Sequence, residues 1–105
     1  MTKKEQKIEE KIREEIRKSV IDPEIGINIV DMGLIYYIRV EGEKEVRIKM
    51  TLTSMTCPEG PKIMDGVRSA AEKVCGLPAH LDLVWEPAWN KDMLSYDAKN
   101  ELGFT

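Results

Sequence analysis

The chain has 105 residues, 42% of them hydrophobic and 33% charged, with a formal net charge of −3. That composition suits one folded domain with a modest core and excludes a disordered chain. The pI near 5.2 and the mixing of Lys and Arg with Glu leave no basic stripe to neutralise phosphates, so nucleic acid is not an expected partner. No apolar run approaches the ~20 residues that span a bilayer. Residues 1–6 lack the apolar segment of a signal peptide. The expectation is a cytoplasmic chain with no membrane partner.

Residues 3–20 place Ile8, Ile12, Ile16 and Val20 at strict i, i+4 spacing among charged side chains. This narrow apolar stripe predicts a helix packed on one side of a sheet. Asp22-Pro23 closes it, because a residue before proline avoids the α region. Pro23 to Gly26 reads as a turn, and residues 27–33 as a loop or short helical turn. Leu34 to Val40 is β-branched and aromatic, hence a strand. Glu41 to Lys44 is a hairpin loop leading into a second strand, Val46 to Thr53. There Val46, Ile48, Met50 and Leu52 alternate with Arg47, Lys49, Thr51 and Thr53, so one face is buried and the other meets solvent or a site. A second helix carries Ile63, Val67, Ala70, Ala71 and Val74 on one face, with Gly76 as its cap and Pro78 blocking continuation. Residues 80–86 form a third strand, and Ser95 caps a short last helix over Tyr96–Leu102 closed by Gly103. The predicted fold is an α+β single-domain sandwich over residues 1–105. It has a three-stranded, mostly antiparallel sheet with helices on one face, in the order α-β-β-α-β-α.

Cys57 lies between the second strand and the second helix. A thiol at a helix start meets free N–H groups, whose positive potential favours thiolate. Thr56-Cys-Pro-Glu59 has the form of a capping box, which would place Cys57 or Pro58 at the first helical position. Gly60 would leave the first turn open to close approach. The alternative is a plain helix start with Cys57 as small filler. Cys75, at the other end of the same helix, is ~27 Å away at 1.5 Å per residue. The two thiols are then beyond disulfide reach, and Cys75 reads as buried structure.

Asp22, Glu24 and Asp31 precede the first strand, and carboxylates beside a thiol would suit zinc or ferrous iron. Ordinary turn chemistry and local backbone bonding explain them equally. Thr51 and Thr53 either line a pocket or satisfy a solvent-facing surface. Trp85 and Trp89 flank Glu86-Pro87; Trp89 either lids a pocket, anchors a partner or covers the core edge. His80, the single histidine, is expected at the surface, which disfavours a Cys–His hydrolase.

Four blocks occur in order: Val20-Ile-Asp-Pro-Glu-Ile25, Asp31-Met-Gly-Leu-Ile-Tyr36, Thr51-Leu-Thr53 with Cys57-Pro58, and Pro87-Ala-Trp89. Together they resemble the PaaD/SufT-like proteins, also called metal–sulfur cluster biosynthetic proteins, over residues 19–105. The resemblance implies a compact α+β domain that assists maturation or repair of iron–sulfur proteins. It makes Cys57 the motif cysteine and Asp22, Glu24, Asp31, Thr51 and Thr53 the matching polar positions. Ala88 stands where the family usually has a second proline before its tryptophan.

A cluster usually needs four thiolates, and this chain offers one candidate. The expectation is therefore no stably bound cofactor, but transient iron or an iron–sulfur cluster on Cys57. The remaining ligands would come from an iron–sulfur carrier or recipient protein, or from a homodimer. Two other readings stand beside this one. The chain could serve as an accessory subunit of a phenylacetate-type multicomponent oxygenase, since the resemblance includes such members. It could also be a thiol enzyme with Cys57 as nucleophile and Asp31 or Glu24 as base.

Overall fold

The computed structural model describes residues 3–56 and 58–103. Helix α1 runs Lys3–Ser19, strand β1 Ile35–Glu41, strand β2 Glu45–Met50, helix α2 Gly60–Cys75, strand β3 Ala79–Leu83 and helix α3 Tyr96–Leu102, with a 3-10 turn at Lys91–Met93. The expected α-β-β-α-β-α order and α+β class hold. Among the described residues no helix is long and apolar enough to cross a membrane.

The sheet order is β1-β2-β3, with β2 central. The β1–β2 hairpin is antiparallel, pairing Ile38 with Ile48 and Val40 with Val46. The register slips between Ile35 and Tyr37. Strand β3 runs parallel to β2, pairing Val46 with Ala79 and Met50 with Leu83, so the sheet is mixed where a mostly antiparallel one was expected. A parallel neighbour requires a crossover, and α2 supplies it.

Both long helices lie on one face. The α1 stripe enters the core as its spacing requires: Ile12 and Ile16 have no exposure and Val20 has little. Helix α2 buries Ile63, Val67, Ala70 and Ala71 against it. From the sheet come Ile38 and Val40, with Val46, Ile48 and Met50 of β2 fully buried. The opposite face is left to Tyr37, Arg39, Arg47, Lys49, His80 and Asp82, exposed or half-buried.

Gly76 takes φ +68° and returns its N–H to the Glu72 carbonyl, the expected left-handed cap of α2. Ser95 accepts from the Ala98 N–H, and Gly103 closes α3. The start of α2 differs from expectation. Its N-cap is Glu59, which makes no side-chain cap bond, and the first helical bond runs from Ile63 N to Glu59 O at 2.9 Å. Thr56 instead bonds backwards: its N–H reaches Ser54 Oγ at 3.2 Å, and the two hydroxyls lie 2.9 Å apart. The capping box is thus not formed, and Pro58 precedes the helix. The expected helix-start placement of Cys57 itself lies outside the described residues. Pro61 gives the reason. A helix begun at Thr56 would put Pro61 where its missing N–H and its ring both oppose the ladder, at a cost of about 3 kcal/mol. From Glu59 it sits in the first turn, where neither matters.

Core packing is expected to dominate stability. Ile16→Ala, at a site with no solvent exposure, should cost about 2–5 kcal/mol. That loss should appear as a lower urea midpoint with the m-value unchanged.

Candidate functional site

The βαβ unit fixes which end of the sheet matters. In such units, ligands gather beyond the carboxyl ends of the parallel strands, beside the N-terminus of the following helix. Here that end holds the exits of β2 and β3, the entry to β1 and the first turn of α2. The described residues of the four sequence blocks that carry the family resemblance are in loops or strand ends belonging to it.

The loop from Val20 to Gly33 meets α2 at this end. Val20, Ile21 and Pro23 form one wall of a cleft of about 300 Å³, and Glu59, Lys62 and Ile63 form the other. Gly66 makes the close approach feasible, because a Cβ there would lie 3.2 Å from Val20. Asp22 sits within this loop at 3% exposure. Its Oδ1 accepts from Glu24 N at 2.9 Å, and its carbonyl accepts from Gly26 N at 2.7 Å. That is a closed Asx turn, the local role expected of Asp before Pro. Glu24 is exposed beside it.

Asp31 is engaged elsewhere. Its Oδ2 accepts from Asn28 Nδ2 at 2.8 Å, its Oδ1 lies 3.7 Å from Arg17 Nε, and its carbonyl accepts from Ser95 N at 2.7 Å. None of these partners lines the cleft. Asp31 therefore joins the end of α1, the 27–33 loop and the start of α3. It does not meet Asp22 there.

Thr51 and Thr53 depart from the simple alternation. Strand β2 ends at Met50, and Met50, Thr51 and Leu52 are all buried. Thr51 has no exposure, so it does not face solvent. Its N–H reaches the Leu34 carbonyl at 2.9 Å, and its Oγ1 the Leu52 carbonyl at 3.4 Å. Thr53 is half-buried, and Thr56 and Pro58, the chain neighbours of Cys57, are exposed. Cys57 itself lies outside the described residues. Gly60 is buried, and the space its Cβ would take is filled by Leu52, 2.8 Å away. Gly60 therefore serves internal packing, and the open approach expected there is absent.

The C-terminal segment ties this end together. Trp89 packs against the core and donates Nε1–H to the Met32 carbonyl at 2.6 Å. Tyr36 donates its hydroxyl to the Pro87 carbonyl at 2.6 Å. Gly33, at φ +80°, lies so close to the Met93 carbonyl that a Cβ would collide with it. Of the roles open to Trp89, covering the core edge matches this geometry. His80 is exposed, with Nε2 3.3 Å from Glu45. Cys75 is half-buried, short of the full burial expected, and its Sγ lies 3.0 Å from the Ala71 carbonyl.

Sequence reasoning missed Met55, 78% exposed two residues before Cys57, and Ile21, 52% exposed on the cleft wall. The available signal was an apolar residue set among Ser and Thr after the strand alternation had ended. Among the described residues no three His, Cys, Asp or Glu side chains gather into a metal-holding group.

A small α+β domain with its motif loops at one end of a βαβ unit is the class so defined. Residues 7–79 match the family described as iron–sulfur cluster assembly protein, and the chain belongs to that family. It is 46% identical over 85 residues to the Fe-S protein maturation auxiliary factor SufT of Staphylococcus aureus, spanning 80% of this chain and 97% of the relative. It is 41% identical over 90 residues to the Fe-S protein maturation auxiliary factor YitW of Bacillus subtilis, spanning 82% and 85%. A crystal structure of a domain of unknown function from Bacillus anthracis matches with a TM-score of 0.88 at 32% identity, covering 97% of each chain.

Trp89→Phe keeps the ring but strips the donor from the Met32 carbonyl, in a residue with no exposure. It should cost about 1–3 kcal/mol. Chemical denaturation of the purified variant checks this.

Proposed function

We propose that this chain is an auxiliary factor in iron–sulfur protein maturation, with Cys57 as a transient ligand to iron or a cluster in passage to a recipient protein. Family membership carries the reading. The site's position supports it. In sequence Cys57 follows Thr56, between β2 and α2, and the described residues of that connection lie at the end of the sheet where the other motif loops converge. Glu59 gives α2 no side-chain cap, which leaves the helix's positive end available to favour thiolate nearby.

Ligand number sets the mechanism. One thiolate is a quarter of the usual complement of a cluster. Asp22 is closed in its turn and Asp31 is held by Asn28 and Arg17, so neither is free to complete a cage without breaking local structure. The remaining ligands come from an iron–sulfur carrier or recipient protein, or from Cys57 of a second copy. Incomplete ligation suits hand-off, since a donor that bound the cluster fully would compete with its client.

Anaerobic incubation with iron and sulfide, beside an apo-acceptor protein, tests the reading. The wild type should bind iron and sulfide and raise the rate of acceptor loading, and Cys57→Ala should fall to background in both. Equal binding and equal loading by the two proteins would sink the proposal.

A further inference from the structure

The free edge of β1 is guarded over only half its length. Strand β1 is an outer strand of the sheet. In an antiparallel ladder, alternate residues turn both N–H and C=O away from the partner strand. Val40 is one of these, because its N–H reaches Glu9 Oε1 at 3.1 Å. Two residues back, Ile38 faces the same edge. Gly42 N is likewise met by Glu5 Oε2 at 3.1 Å. Carboxylates from α1 thus stand where a neighbouring strand's carbonyls would stand, and they close the hairpin half of the edge. At Ile38 there is instead a shallow hollow of about 420 Å³ lined by Gln6, Tyr37, Ile38 and Arg39.

Charge around this hollow is one-sided. Arg47 is answered by Glu45 at 3.4 Å and Glu41 at 3.9 Å. Arg39, its cross-strand neighbour, is exposed, with no carboxylate in ion-pair contact among the described residues. The Lys49 ammonium lies 5.1 Å from the centroid of the Tyr37 ring, a cation–π contact, and its cross-strand neighbour on β3 is Asp82. A chain of net charge −3 therefore presents two cations flanking an exposed tyrosine at an open strand edge, and Arg39 has no ion-pair partner among the described residues.

We propose that β1 at Tyr37–Arg39 docks a short, extended acidic segment of a partner protein by strand addition. The segment pairs its backbone with the N–H and C=O of Ile38, and its alternate carboxylates meet Arg39 and Lys49 on the outer face. Glu9 at Val40 limits the added strand to a few residues. A second copy of β1 is a poorer occupant, because antiparallel self-pairing at Ile38 would set each Arg39 opposite the other copy's Tyr37, whose ring already carries the Lys49 ammonium. No residue of this surface belongs to the connection between β2 and α2, so the proposal stands or falls independently of the maturation reading.

The test is an amide-resolved NMR titration with the blocked peptide acetyl-Val-Glu-Val-Glu-Val-amide. Saturable shifts should concentrate at residues 36–39 and at Lys49. Binding should weaken by at least about tenfold for the double variant Arg39→Glu, Lys49→Glu, and for a peptide with Lys in place of Glu. The same peptide N-methylated at alternate amides should lose binding too, which separates strand addition from plain charge attraction. Circular dichroism confirms that the variant is folded, and Arg39→Gln alone serves if it is not. Cys57→Ala should bind as the wild type does. Absent or scattered shifts, equal binding by the Lys or N-methylated peptide, or self-association through β1 in place of peptide binding would each overturn the proposal.

Discussion

Pro61 decides where α2 can begin, and the site follows from that. A proline is harmless only in a helix's first turn, where its absent N–H has no acceptor to serve. With Pro61 in place the helix opens at Gly60, and the connection from Thr51 to Glu59 stays out of the helix. Gly60 fits the same constraint. Lacking a Cβ, it escapes the clash that disfavours helical backbone before proline, and it admits Leu52 into the space a side chain would fill. The loop's two ends are thereby fixed. Leu52 is buried under the helix start and Thr51 is bonded to Leu34, while Thr56 and Pro58 are exposed.

Fixing that loop would mean little if the other loops at this end were loose. They are joined by contacts distant in sequence. The Trp89 indole reaches Met32, the Tyr36 hydroxyl reaches Pro87, and the Ser95 amide reaches Asp31. Each anchors the C-terminal segment to the start of β1 or the loop that precedes it, and each joins a buried or half-buried group to a specific backbone partner. Together they tie the C-terminal segment to the entry of β1, while Ser54, Met55 and Thr56 are exposed beyond the exit of β2.

The elements most legible in the sequence were those whose signal is local. The i, i+4 stripe of α1, the apolar face of α2, the left-handed Gly76 and the Ser95–Gly103 bracket of α3 each depend on neighbours within a turn or two, and each stands where expected. Misreadings arose where two local signals competed or where a distant segment intervened. Thr56 and Glu59 carry a capping pattern, but Pro61 outweighs it. Thr51 continues the polar alternation of β2, but alternation predicts exposure only while one face of the sheet stays open. Asp31 looked like a companion for Asp22 because the two share a loop. Its local partner is Asn28, and two others, Arg17 and Ser95, lie far from it in sequence, where no periodicity reveals such pairs.

The acidic residues make the same point about mechanism. Three carboxylates near a motif cysteine suggest a metal site in sequence, yet a carboxylate's usefulness as a ligand depends on what already holds it. Asp22 closes the turn that sets the cleft wall, and Asp31 fastens α1 to the C-terminal segment. Drawing either toward a metal would release the loops it holds, so these charges are spent on architecture. Under the proposed function, a cluster engaged by Cys57 would take its remaining ligands from a partner. In such a domain, affinity for cargo and affinity for the partner become one quantity, because the site is complete only when the partner is bound.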